Sequence, residues 1–164
     1  MIVQDPLNPT ADADSMVSVE DARLRAVNLG VTLPADDTEC EVALVKGNVY
    51  LNNLCFYGEP VVPFQQTSWP RTGVVINNNE YPDDQIPQQA IDAQIVSAAY
   101  AATDDIYTVV DNDKRTSSEK VDVLQVTYAV SDSGSYTGKK KITRAEELLS
   151  MFLCSDSNYW AYLG

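Results

Sequence analysis

Val19, Ala22, Ala26 and Leu29 recur at three- and four-residue spacing, which places them on one stripe of a helix. Ser18 precedes the stripe as a cap, Asp21 sits in the capping-box position, and Gly30 suits a left-handed stop. A second helix starts at Asp37 or Thr38, with Glu41 completing a Thr-x-x-Glu box, and runs to about Cys55. Val42, Val45 and Val49 mark one side of it. Ala43, Leu44, Leu51 and Leu54 widen the apolar face, which predicts burial on more than one side. Gly47 weakens this helix but permits a close helix contact. Residues 56–86 are irregular, with Pro60, Pro63, Pro70 and Pro82, and Val74-Val75-Ile76 and Tyr81 flank Asn77-Asn78-Asn79 as a small hairpin. Pro87 opens the strongest helix, about residues 87–103, with Ile91, Gln94, Ile95, Ala98 and Ala102. Its many alanines permit tight packing.

The pattern then changes period. Lys120 to Val130 is rich in Val, Thr and Tyr and predicts a strand. Leu124, Val126, Tyr128 and Val130 share one face, while Val121 and Val123 lie on the other, which suggests a bulge or two-sided burial. A lone strand in a helical protein needs a partner, so without one in this chain the partner comes from another subunit. Thr143-Arg144-Ala145-Glu146 reads as a further capping box before a short helix carrying Leu148, Leu149, Phe152 and Leu153. The expected fold is mainly α: a small bundle of about four helices, a long loop or hairpin, and one or two strands near the C-terminal part. Residues 1–17 form an extended arm, ordered on a neighbour or mobile. Residues 18–110 form the helical core, 111–142 a linker and strand, and 143–164 a helix and an aromatic docking tail.

Composition narrows the chemistry. The chain has 164 residues, 24 acidic and 11 basic, for a net charge of −13. That balance disfavours a protein whose main task is gripping nucleic acid, because phosphate binding needs a basic groove. Histidine is absent, which excludes Ser-His-Asp and Cys-His catalysis and every histidine metal site. Cys40, Cys55 and Cys154 are widely spaced, so buried free thiols are the default reading, in keeping with a reducing compartment. No secretion signal is visible, and no stretch approaches the roughly 20 apolar residues of a membrane span.

Few residues look chemically active. No phosphate-binding glycine motif occurs. Asp36-Asp37, Asp83-Asp84 and Asp104-Asp105 could bind a cation, but helix capping outweighs that for the first pair, and the last is a solvated loop. Lys139-Lys140-Lys141 with Arg144 could touch DNA phosphates or an acidic partner; a solvated loop is the favoured reading. Thr67-Ser68-Trp69-Pro70-Arg71-Thr72-Gly73 is the most distinctive stretch. Its Trp locks a loop onto the core, and its Arg can stack on a ring or pair with a carboxylate. The expected partner interface comprises Trp69, Arg71, Leu124, Val126, Tyr128, Leu149, Phe152, Tyr159, Trp160 and Tyr162. For the aromatic end, docking on a partner is preferred over docking on the chain's own core. No catalytic residue, cofactor or metal is expected, and an enzyme is not.

Several stretches together carry a family resemblance. They are Ser18-Val19-Glu20-Asp21-Ala22, Tyr50-Leu51, Ser68-Trp69-Pro70-Arg71-Thr72-Gly73, Ile86-Pro87-Gln88-Gln89-Ala90-Ile91-Asp92-Ala93-Gln94, and Ser118 to Tyr128. In this order, over roughly residues 18–130, the chain resembles the phage family labelled "putative DnaT-like ssDNA-binding protein". Residues 131–164 show no such pattern. The resemblance implies a head–tail connector, or neck adaptor, of a tailed bacteriophage. Such a subunit forms a homo-oligomeric ring of 12 copies under the portal protein and meets the tail or a second neck protein. DNA passes through its channel without specific binding. The expected location is the neck of the virion, after assembly in the host cytoplasm, with no membrane partner. The alternative is a single-stranded DNA-binding replication protein, which would need exposed aromatics interleaved with Lys or Arg; another minor virion protein, such as a tail-completion protein, is the remaining option.

Overall fold

A computed structural model describes residues 1–103, 118–121, 124–127 and 141–154. Four helices are seen among them: α1 Val19–Leu29, α2 Asp37–Asn52, α3 Gln88–Thr103 and α4 Thr143–Leu149. Short antiparallel strands complete the set. β1 (Glu59–Pro60) pairs with β2 (Arg71–Thr72), and β3 (Val75–Ile76) with β4 (Asn79–Glu80). β5 (Ser118–Val121), β6 (Leu124–Thr127) and β7 (Lys141–Ile142) form a three-stranded sheet with β6 in the middle. The protein is mainly α with small sheets.

The helix starts follow the expected chemistry with one difference. Ser18 Oγ accepts the Asp21 N–H, and Gly30 ends α1 at φ 65°. α2 starts at Asp37, one of the two expected positions, and its cap is Asp36, whose side chain accepts the Glu39 N–H, the role expected of the Asp36-Asp37 pair. At α4 no side chain caps the helix. Tyr50 Oη accepts the Ile142 N–H at 2.8 Å instead, and Glu146 turns to Tyr50 and Lys141. The asparagine hairpin is present, with Asn77 and Asn78 both at positive φ, as its tight turn requires.

α3 is the central helix. Between Ala90 and Ala101 every residue but Ile91 is buried. On one side it meets Cys40, Ala43, Leu44, Ala26 and Leu33, and on the other Leu51, Trp69, Val74, Leu149 and Phe152. Gly47 lets α2 cross it closely. A Cβ there would stand 2.7 Å from Gln94 O and 2.9 Å from Ala98 N, both backbone atoms.

Two expectations about incomplete parts are corrected. Residues 1–17 are not a free arm. Ala13, Ser15, Met16 and Val17 are buried in the body. The reason is Gln94, wholly buried in α3. Its Oε1 accepts the Met16 N–H at 3.0 Å, and its Nε2 donates to Ser15 Oγ at 2.8 Å and Leu44 O at 3.0 Å. A buried amide needs such partners, and the N-terminal segment supplies them. The strand expected over 120–130 is not alone either. It divides into β5 and β6, which pair with each other, and β7 covers the other side of β6.

Cys55 and Cys154 also depart from expectation. Their Cα atoms lie 5.4 Å apart and they form a disulfide, while Cys40 is free and buried. A separation of 99 residues left no local signal for that pairing.

Candidate functional site

The Trp69 loop is built as a lock. Trp69 is completely buried, and its ring meets Phe56, Tyr81 and Phe152 edge-on, with centroids 6.4, 5.5 and 5.1 Å away. Arg71 donates to Tyr57 O at 2.9 Å and Gly58 O at 2.6 Å, and its guanidinium stands over the Phe56 ring. Burial lowers the Arg71 pKa to about 10, so it stays charged at neutral pH. Its charge is spent on carbonyls inside the loop. Leu149 and Phe152 are buried in the same cluster. Trp69, Leu149 and Phe152 therefore lie in the chain's own core, where apolar area is already removed from water. Leu124 and Val126 lie on β6, between β5 and β7. Tyr128, Tyr159, Trp160 and Tyr162 lie outside the described residues.

Phe64 is the aromatic that the sequence did not single out. It is 95% exposed at φ 62°, between Pro63 and Gln65. The loop beneath it is pinned. Gln66 O accepts from the side chains of Asn48 and Asn52, and Gln66 N–H donates to Ala11 O.

The described cations of the body are largely engaged. Arg23 binds Asp37 and the Pro34 and Ala35 carbonyls. Arg25 forms a two-pronged pair with Asp92, at 2.7 Å for each bond, and Gln88 adds a third bond to that carboxylate. Arg144 Nη2 donates to Leu29 O, at the C-terminal end of α1 where the helix dipole favours a cation. Lys141 Nζ is 2.9 Å from Glu146. Two members of the expected basic cluster thus have intramolecular roles. Lys139 and Lys140 lie outside the described residues. No group of three His, Cys, Asp or Glu among the described residues could hold a metal ion. None of the described helices is long and apolar enough to cross a membrane.

Charge is nevertheless unevenly placed along the chain. Seven of the eleven basic residues fall within 114–144, against three acids there, Glu119, Asp122 and Asp132. That stretch is net positive by four, and the remainder is strongly negative. It contains the whole β5–β6–β7 sheet. Lys120 on β5 is in register with Gln125, and Lys141 on β7 with Thr127. The two lysines lie on either side of β6, two strand spacings apart and offset by two residues along it, roughly 12 Å by backbone geometry.

A family model described as "Putative DnaT-like ssDNA binding protein" matches residues 1–163. The chain belongs to this DnaT-like family. The match takes in both the N-terminal segment and residues 131–163, where no pattern was recognised in the sequence. No curated protein and no solved structure matches the chain. The DnaT-like description names single-stranded DNA binding, and that finding overturns the head–tail connector reading. The connector reading was taken from the resemblance, with support from the total charge, which conceals the basic stretch, and from a strand and an arm left for another subunit to complete. The structure completes both within the chain.

Proposed function

We propose that the protein binds single-stranded DNA through the basic stretch 114–144, which includes strands β5, β6 and β7, while its acidic body stays clear of the phosphates. The observation behind this reading is the segregation of charge along the sequence: a stretch, 114–144, positive by four on an otherwise acidic chain. Phosphate contacts release condensed counterions, so a local cluster of lysines acts even when the total charge is negative. Tyr128 and Tyr136 lie between Lys120 and Lys139 in the sequence, which supplies the aromatic and basic alternation that base stacking and backbone tracking use. The acidic body opposes non-specific wrapping and keeps contact to one face. The family description points to the same ligand.

The test is a fluorescence anisotropy titration with a labelled oligothymidylate between about 20 and 200 mM salt. With about four phosphates neutralised, the logarithm of affinity should fall against the logarithm of salt with a slope of about −3. Lys139→Ala/Lys140→Ala should reduce that slope by about 1.4. Absence of binding at the lowest salt, or an unchanged slope in the double variant, would refute the proposal.

A further inference from the structure

Cys55 follows the end of α2, and Cys154 follows α4. Besides their disulfide, the two segments are joined by a short antiparallel contact. Phe56 bridges Leu153, Tyr57 N–H donates to Phe152 O at 3.0 Å, and Cys154 N–H donates to Cys55 O at 3.0 Å. This contact holds Phe152 against Trp69 and Tyr81, with ring centroids 5.1 and 5.7 Å away. Both cysteines are partly exposed, so a thiol reagent can reach them. Cys40 differs: it is wholly buried, and burial pushes its thiol above the usual value.

We propose that Cys55–Cys154 is a thiol–disulfide exchange site, a reversible clamp whose reaction partner is a dithiol and whose state decides how firmly residues 150–154, after α4, are held to the segment that follows α2. In the opening reaction a thiolate of the dithiol attacks one sulfur and breaks the protein's S–S bond, forming a mixed disulfide. The second thiol of the reagent then displaces the protein cysteine. The dithiol loses two electrons and becomes a disulfide, and the protein gains two thiols with the two protons. Closing the clamp joins residues 99 positions apart, so the oxidised form restricts the unfolded chain strongly. In the reduced form α4 stays anchored by its Tyr50 and Arg144 hydrogen bonds and the buried Leu149, while residues 152–154 keep the two backbone hydrogen bonds and the Phe152 ring contacts without the covalent link. The proposal does not depend on the DNA-binding reading.

The experiment uses the full chain, with dithiothreitol as reductant and oxidised glutathione as oxidant. After oxidation, alkylation of the denatured protein should label one cysteine, Cys40, and after dithiothreitol it should label three. Reduction should lower Tm by about 10 °C. Cys55→Ser/Cys154→Ser should melt at one temperature with or without reductant. Amide exchange at Tyr57 and Cys154 should quicken at least about tenfold on reduction, while exchange at Leu44 and Val96 in the helical core stays slow. Three alkylated cysteines after oxidation would overturn the proposal. So would an unchanged Tm and unchanged exchange in wild-type protein whose reduction alkylation has verified. The wild-type comparison stands even where the double variant fails to fold.

Discussion

Asp92 is a buried carboxylate on the central helix, and its partners decide its charge. Burial pushes its pKa up, but hydrogen bonds from Arg25 and Gln88 and the guanidinium's charge outweigh that and leave it below the usual carboxylate value of 3.8. A carboxylate depressed in the folded state stabilises the fold fully above its unfolded pKa. That contribution is lost as pH falls through the folded value. Asp92→Asn should therefore cost about 1–2 kcal/mol near pH 7, towards the low end for charged hydrogen bonds because Arg25 is 38% exposed. The difference from wild type should shrink as pH drops below about 4, measured by urea denaturation at several pH values. A penalty that stayed constant down to pH 2 would show that Asp92 acts by shape and not by charge. Little of this was legible beforehand. Asp92 was quoted within a motif, yet its partner Arg25 lies 67 residues away on another helix, and side-chain pairing at that distance has no periodic signature.

The helices were legible because each rule that marks them is local. Ser18 and Gly30 delimit α1, Pro87 precedes α3, and the apolar spacing supplies the buried faces. The start of α4 was misread for a reason that is also physical. Thr143 and Glu146 satisfy the capping pattern, but the phenol of Tyr50, from another helix, takes up the Ile142 N–H and draws Glu146 away. The close crossing of α2 and α3 depends on Gly47. Alanine normally favours a helix over glycine by about 1 kcal/mol. Here its methyl would strike Gln94 O and Ala98 N, and backbone on a buried helix has little room to yield. Gly47→Ala should thus destabilise the protein by a net of about 1–3 kcal/mol in denaturant unfolding, against the helix-propensity scale. A neutral or stabilising result would mean that the two helices separate easily.

At the scale of the molecule, an acidic helical body is joined to a small sheet that falls within the basic stretch of the sequence, and Tyr50 is one of the ties between them. It accepts from Ile142 on β7 and donates to Glu146 on α4 at 2.9 Å, and burial pushes its phenol well above the usual value, so it remains a donor. Tyr50→Phe leaves a buried N–H and a carboxylate without that oxygen. We expect a loss of about 1–3 kcal/mol and faster amide exchange at Ile142, with α3 amides nearly unchanged. Equal acceleration throughout would mean that the sheet and the body open as one unit. The candidate site was harder to read than the fold because summed charge hides local sign, and because only the paired strands show that Lys120 and Lys141 belong to one sheet. Gln94 has a consequence for how this architecture is reached. Its amide is satisfied only when three distant stretches of chain converge, so an intermediate containing the α2–α3 pair alone would expose a polar defect in its core. Such a half-built state is penalised, and equilibrium unfolding of the helical part should follow a single cooperative transition.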